Sequence, residues 1–242
     1  MSSRLSVTRM LFTVLTQLAQ NPTWAVVTLA TFFLSIVIAI TVHEFSHAWS
    51  AYLLGDTTAK SQGRLTLNPV AHLDPAGTAL IIIAGFGWGK PTPVNPSYFR
   101  SGVQLGTAMV ALAGPMSNIA VASILGILVK LGVIGFGAVG FSLFSGQNII
   151  EYFVGSIIFI NLLLAAFNLL PIAPLDGFKV VLGVLPKTHA LKWASLEPYG
   201  ALILLGIIGL SFFAPGLSIL PLIIRPIVNV LSMIVLGGEI WP

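Results

Sequence analysis

Long uninterrupted apolar stretches are the feature that most constrains how this chain can fold. The longest covers residues 24–54, and others cover residues 103–131, 149–170, 199–213 and 217–236. About 20 apolar residues are enough for a helix to cross the hydrocarbon core of a bilayer. We therefore expect an all-α polytopic membrane protein with about four to six transmembrane helices, located in the cell membrane.

The composition agrees with a membrane protein and excludes several other classes. Of the 242 residues, 56% are hydrophobic and only 7% are charged, whereas about 25% of the residues in a soluble domain are charged. Eleven basic and seven acidic side chains are too few to cover a soluble surface or to form a phosphate-binding face. Soluble enzymes, disordered chains and nucleic-acid-binding proteins are therefore excluded, and the expected surroundings are the lipid bilayer.

Residues 55–102 interrupt the apolar pattern. Residues 62–68 alternate between polar and apolar side chains as a strand does, and several prolines disfavour long helices. The apolar stretch 78–84 is too short to cross a membrane. We therefore expect a small β and re-entrant region between the first and second core helices.

The chain is expected to have three parts. Residues 1–20 mix basic, amide and apolar side chains and are expected to form an interfacial helix. Residues 21–198 are expected to form a core that contains the first three apolar stretches, with a short proline-bracketed helix at 174–185. Residues 199–242 are expected to form C-terminal membrane helices.

Basic residues are concentrated in two connecting segments, residues 55–104 and 176–198. They are Lys60, Arg64, Lys90, Arg100, Lys179, Lys187 and Lys192. The opposite segments, 132–148 and 211–216, contain no basic residue. Since cytoplasmic loops of membrane proteins are enriched in Lys and Arg, both basic segments are expected to face the cytoplasm.

The first apolar stretch contains the motif His43-Glu44-Phe-Ser-His47, which has the H-E-x-x-H pattern. Residues four positions apart lie on one helix face about 6 Å apart, so both imidazoles can bind one zinc ion. Glu44 is the residue after His43 on the same helix, where it can take a proton from water that the metal activates. The alternative is a buried polar cluster that satisfies itself, but ionisable groups inside a span are costly and usually functional.

Two histidines leave a tetrahedral zinc site short of one protein ligand. The chain has no cysteine, so this ligand must be His, Asp or Glu. Glu151 is expected on the opposite side of the membrane, and Asp56 is too close to His47 in sequence to fold back onto that helix face. Asp176 follows the third apolar stretch at a matching depth and is the best candidate. One zinc ion per chain is therefore expected.

These motifs resemble the site-2 protease family of intramembrane zinc metalloproteases. The H-E-x-x-H motif on a membrane helix is followed by a later N-x-x-P-x-P-x-L-D-G pattern, which runs from Asn168 to Gly177. Further similarity lies in three segments that run from Asn68 to Gly77, from Gly87 to Pro96 and from Gly114 to Asn118. The chain is similar to a compact member of this family, without a PDZ or CBS domain.

The resemblance implies an intramembrane zinc endopeptidase with a three-helix catalytic core. It implies that His43, His47 and Asp176 bind the zinc ion, that Glu44 is the general base, and that Asn168 holds substrate or the oxyanion. It also implies that the substrates are transmembrane proteins or peptides, cleaved in regulated intramembrane proteolysis. With the orientation given above, the active site is expected towards the cytoplasmic side.

Two further residues are weaker candidates for contacts with substrate. Asn118 lies inside a span, where an amide also commonly forms hydrogen bonds between helices. His72 is better explained as a structural hydrogen-bonding residue. The alternative function is a non-enzymatic membrane protein, either a metal transporter or a scaffold that binds helices, and the oligomeric state is left open.

Overall fold

The computed structural model describes residues 22–84, 87–134, 148–213 and 219–241. The interfacial helix predicted at residues 1–20 lies outside the described residues. The described helices, in chain order, are α1 (Pro22–Leu53), α2 (Thr58–Ser61), α3 (Pro75–Ala84), α4 (Val103–Lys130), α5 (Ile149–Asn168), α6 (Asp176–Val184), α7 (Lys187–Ala194), α8 (Glu197–Phe213) and α9 (Leu220–Leu236).

Three of the described helices, α1, α4 and α5, are long and apolar enough to cross a membrane. A fourth span is present only if α7 and α8, which meet at an angle of 55°, are counted together. The described part of the chain therefore has three candidate spans, or four with this pair, against an expectation of about four to six for the whole chain. Helices α8 and α9 have 17 residues each, or roughly 26 Å, which is less than the hydrocarbon thickness of about 30 Å.

The predicted β region between α1 and α4 is wrong, because the described residues there contain no strand. They form α2, α3 and two 3-10 turns, Pro69–Ala71 and Pro96–Tyr98, with one isolated antiparallel bridge between Leu73 and Gly89. Alternation over a few residues makes a strand only where a neighbouring strand pairs with it. Here Arg64, in the alternating segment, is buried and donates to loop carbonyls instead.

Helices α1, α4 and α5 pack against one another, and α6 packs against α4. Helix α5 is the most buried of the three spans, and its Ile158 and Leu162 are fully buried at the centre of the apolar core. Helix α9 packs on α4 and α5, while apolar side chains of α8 such as Leu202 remain exposed, as suits a surface that faces lipid. The three spans enclose the buried polar residues described next.

Candidate metal centre

Three ligand-type side chains meet in the space between α1, α4 and α6. The Nε2 atoms of His43 and His47 lie 3.0 and 3.2 Å from Oδ2 of Asp176. All three side chains are buried, and one ligand atom from each lies within 4.8 Å of the others. Ligand atoms at 2.0–2.1 Å from a tetrahedral zinc ion lie roughly 3.3 Å apart. The spacing is therefore suited to one small metal ion.

Local structure explains how the three residues reach one point. His43 and His47 are one turn apart on α1, and their rings lie edge to face with centroids 4.6 Å apart. Asp176 begins α6, which starts directly after the turn that follows α5. A Cβ at Gly177 would lie 2.3 Å from Leu169 O. Only glycine therefore allows the first turn of α6 to lie against the end of α5 and keep Asp176 in place.

Hydrogen bonds to the backbone and to α4 determine which ring nitrogen of each histidine carries the proton. His47 Nδ1 lies 2.7 Å from Val110 O, and a carbonyl oxygen can only accept. His43 Nδ1 lies 2.7 Å from Oδ1 of Asn118, whose amide nitrogen donates to Ala39 O. Both Nδ1 atoms therefore donate. In the neutral imidazoles both Nε2 atoms keep a free lone pair.

The arrangement of lone pairs fits a bound cation. Within the described part of the chain, Oδ2 of Asp176 is buried and receives no hydrogen bond, and it faces the two Nε2 atoms at 3.0 and 3.2 Å. Three electron-pair donors that face one another repel, and a cation between them removes this repulsion. Two imidazoles and a carboxylate form a donor set that zinc accepts, with a position left for water. The residues therefore fit the zinc ion that the sequence predicted.

Gly114 on α4 is part of the centre, although its sequence context suggests only close helix packing. A Cβ at this position would lie 2.5 Å from His47 Nε2 and 2.7 Å from His43 Cε1. Real side chains do not approach so closely, so any larger residue would displace both imidazoles. A glycine in the middle of a membrane helix does not by itself distinguish helix packing from ligand packing.

Asn118 and Asn161 form a buried polar chain behind His43. The side-chain amide of Asn118 donates to Asn161 Oδ1 at 2.8 Å, and Asn161 in turn donates to Ile157 O on its own helix. Both amides are fully buried. Partners of this kind fix the orientation of a metal ligand and raise its basicity. Asn161 therefore connects α5 to the centre.

Glu44 lies next to the cluster but is not one of the three clustered ligands. Its carboxylate is held by Thr92, whose backbone N–H and hydroxyl lie 2.8 and 2.7 Å from Glu44 Oε2. Burial lowers the pKa of the nearby Arg64 guanidinium, and the negative charge of Glu44 opposes this effect. The sequence did not predict a role for Thr92. The available signal was a polar residue between two prolines.

The other predicted site residues lie in different surroundings. Asn168 is half-buried at the end of α5, and its amide nitrogen donates to Leu164 O in the same helix at 3.0 Å. His72 is fully buried, and its Nε2 donates to Thr66 O at 2.7 Å. Neither residue is part of the three-ligand cluster.

The chain matches the model of "Peptidase family M50" over residues 31–207. This region includes the two histidines, Glu44 and Asp176. A similar protein is "Putative zinc metalloprotease YwhC" of Bacillus subtilis (strain 168), which is 41% identical over 172 residues, or 71% of this chain and 77% of that protein.

Two mycobacterial proteins, each named "Putative zinc metalloprotease Rip2", are also similar. The protein of Mycobacterium tuberculosis (strain H37Rv) is 30% identical over 145 residues, and that of Mycolicibacterium smegmatis is 31% identical over 148 residues. Each match covers 59% of this chain and 52% of the relative, so the chain spans about half the length of these two proteins. No solved structure matches the chain significantly.

Proposed function

Because this chain belongs to peptidase family M50, the intramembrane zinc metalloproteases, we propose that it cleaves transmembrane segments of membrane proteins to release tethered factors in a regulated manner. The observation that supports this proposal is the meeting of three buried electron-pair donors, from His43, His47 and Asp176, next to the carboxylate of Glu44. The first three would hold one zinc ion. A metal transporter would be expected to have ionisable residues in several spans, and a scaffold would not need a general base next to a metal site.

Each of the remaining polar groups has a defined part in this proposal. When bound, zinc acts as a Lewis acid on the peptide carbonyl and lowers the pKa of water. Glu44 accepts the proton of the attacking water and passes it to the leaving amine. Among the described residues nothing donates a hydrogen bond to Oε1 of Glu44, so this oxygen is available for the transfer.

Asn168 is proposed to contact the substrate or the oxyanion. Its amide nitrogen donates one N–H to Leu164 O and has a second N–H, which can serve this contact. A donor that meets the oxyanion in the transition state contributes to the rate without supplying the nucleophile. Removal of Asn168 should therefore reduce activity less than removal of Glu44.

We propose structural parts for the two weaker candidates. Asn118 orients His43 rather than contacting substrate, because it is fully buried and both of its amide atoms are already bonded. His72 holds the loop that follows α3, because its backbone oxygen accepts from Lys90 N at 2.7 Å. Substitution of either residue should therefore change the structure of the protein and leave its substrate preference unchanged.

The active site is proposed to open towards the cytoplasm. The segments that connect α1 to α4 and α5 to α8 contain all seven basic loop residues counted above, and segments of this kind remain on the cytoplasmic side. Asp176 lies at the start of α6, on the same side as these segments.

The direct test is incubation of the purified protein with a panel of synthetic transmembrane peptides, read by mass spectrometry. We expect fragments from at least one peptide, none after treatment with a zinc chelator, and at least about 100-fold fewer from a Glu44→Gln variant purified in parallel. Fragments that persist undiminished with both the chelator and the variant would show that the cleavage needs neither zinc nor Glu44. That result, or no cleavage by the parent, would overturn the proposal.

A further inference from the structure

We propose that Thr92 is a positioning residue for Glu44. By holding one carboxylate oxygen of this general base, Thr92 leaves the other oxygen to face water. The inference rests on the proposed function, in which Glu44 is the base. Helix α1 alone does not fix the Glu44 side chain, because in the described part of the chain the hydrogen bonds to its carboxylate come from a loop 48 residues away. The orientation of the Glu44 carboxylate therefore depends on the position of this loop.

The two loop residues immediately before Thr92 are held by hydrogen bonds to other segments. Lys90 N donates to His72 O at 2.7 Å, and the guanidinium of Arg64 donates to both Lys90 O and Pro91 O. Arg64 is only 5% exposed, so its charge is committed to these carbonyls and not to solvent. Hydrogen bonds from a charged group are stronger than neutral ones. The backbone that leads into Thr92 is therefore held from two directions.

A further hydrogen bond holds the loop after Thr92. Oδ2 of Asp56 accepts from Asn95 N at 2.7 Å, and its Oδ1 accepts from Thr58 N at 2.9 Å. Asp56 is fully buried just after α1, and its own N–H donates to Ala51 O in that helix, so this contact joins the loop to the helix that bears Glu44. Two buried charges of opposite sign, Arg64 and Asp56, thus hold the two ends of the segment.

Prolines on either side make Thr92 a rigid donor. Pro91 and Pro93 have restricted φ angles and no N–H of their own. The backbone N–H of Thr92 is 2.8 Å from Glu44 Oε2. The hydroxyl has one proton, which it can give to Oε2 at 2.7 Å or to Glu44 O at 3.0 Å. The backbone N–H restricts the carboxylate of Glu44, and the hydroxyl adds a second contact to the same residue.

The consequence for catalysis is a distinction between the two carboxylate oxygens. Oε2 receives the donors of Thr92, whereas Oε1 is left to accept the proton from water. A base held in one orientation reaches the reacting geometry without first losing side-chain freedom. Thr92 therefore increases turnover without touching substrate or metal.

The experiment compares Thr92→Val, which keeps the shape but lacks the hydroxyl, with Thr92→Ser, which keeps it. Cleavage of the best peptide of the panel is measured together with zinc content. We expect Thr92→Val to lower kcat roughly 10–100-fold with little change in KM. Thr92→Ser should retain most of the activity, and both variants should hold zinc like the parent. Thr107→Val is the matched control, because the Thr107 hydroxyl donates only to Val103 O in its own helix.

A second readout does not depend on turnover. In zinc-loaded Glu44→Ala, the Thr92 amide loses its acceptor, so hydrogen exchange in the segment 89–95 should become faster, while exchange in α9 stays unchanged. Parental kcat in Thr92→Val, or equal loss in Thr92→Ser, would overturn the inference. So would loss of zinc from Thr92→Val and from a second variant, Thr92→Ala, since that indicates a folding role. If Glu44→Gln itself cleaved normally, the proposed function would fail instead.

Discussion

Asn118 accepts a hydrogen bond of 2.7 Å from His43 Nδ1, although the two residues are 75 positions apart and on different helices. The amide nitrogen of Asn118 is engaged by Ala39 O and Asn161 Oδ1, so its oxygen can only face the imidazole. This contact leaves His43 Nε2 free to bind a metal ion. Packing of α1 against α4 is thereby coupled to the chemistry of the centre.

We expect Asn118→Ala to weaken zinc binding roughly 10–100-fold, because His43 loses the partner that fixes its ring orientation. The measurement is competition with a chelator of known affinity, on purified protein. Asn229→Ala is the control, since Asn229 is also a buried asparagine but bonds to Trp241 O and Glu239 near the end of the described chain. Unchanged zinc affinity in Asn118→Ala would contradict the role proposed for this residue.

Asp176→Ala should lose stoichiometric zinc, because two imidazoles alone leave the proposed site one protein ligand short. Metal analysis after dialysis measures the zinc content. Asp56→Asn is the matched control, since Asp56 is a fully buried carboxylate outside the cluster. Tightly held zinc at parental stoichiometry in Asp176→Ala would show that another residue is the third ligand.

A single methyl group at Gly114 should inactivate the protein at least 100-fold, since it would lie 2.5 Å from His47 Nε2 and displace the ring. Cleavage rate and zinc content of Gly114→Ala are the measurements. In Gly206→Ala the new methyl group has no neighbour within 4 Å, so this variant should behave like the parent. Full activity of Gly114→Ala would show that α4 can move away from the imidazoles at little cost.

Glu44→Gln should separate metal binding from hydrolysis. Glutamine keeps the size and the hydrogen bonds from Thr92 but cannot accept a proton, so zinc should remain and the cleavage rate should fall by about 10²–10⁴-fold. Asn168→Ala should retain partial activity, since it removes one contact and leaves the base intact. Equal cleavage rates of Glu44→Gln and the parent would exclude Glu44 as the base.

Membrane orientation can be measured by cysteine labelling, because the chain has no cysteine of its own. The side chains of Ser61 and Ser195 are exposed in the two basic segments, whereas Val133, 68% exposed, follows α4 on the other side. In intact cells an impermeant reagent should label Val133→Cys and neither serine variant. The opposite pattern would place the active site outside.

Properties that depend on local chain geometry could be predicted from the sequence. The spacing of His43 and His47 brings both rings to one helix face wherever the helix lies, since helical geometry needs only neighbouring residues. Membrane character follows in the same way from the length of the apolar stretches. The zinc metalloprotease family was also predicted correctly from the motifs, and the match over residues 31–207 confirms it.

The region between α1 and α4 shows where local reasoning was insufficient. Residues 62–68 have the alternation of a strand, but a strand is stabilised by a partner that the segment itself does not contain. The fold provides other acceptors instead. Arg64 reaches the carbonyls of Lys90 and Pro91, and Asn68 caps the 3-10 turn Pro69–Ala71. Local pattern cannot distinguish these outcomes, because the competing contacts come from distant residues.

Only the tertiary structure shows what surrounds the H-E-x-x-H motif. Helix packing places Asn118 against His43 and Gly114 against both imidazoles, and a loop held by hydrogen bonds places Thr92 against Glu44. These contacts join segments that are 48–75 residues apart. Such contacts depend on the sum of many packing interactions and leave no periodic signal along the chain. The sequence by itself thus determined the membrane helices and the chemistry of the motif. Packing decided which residues orient it.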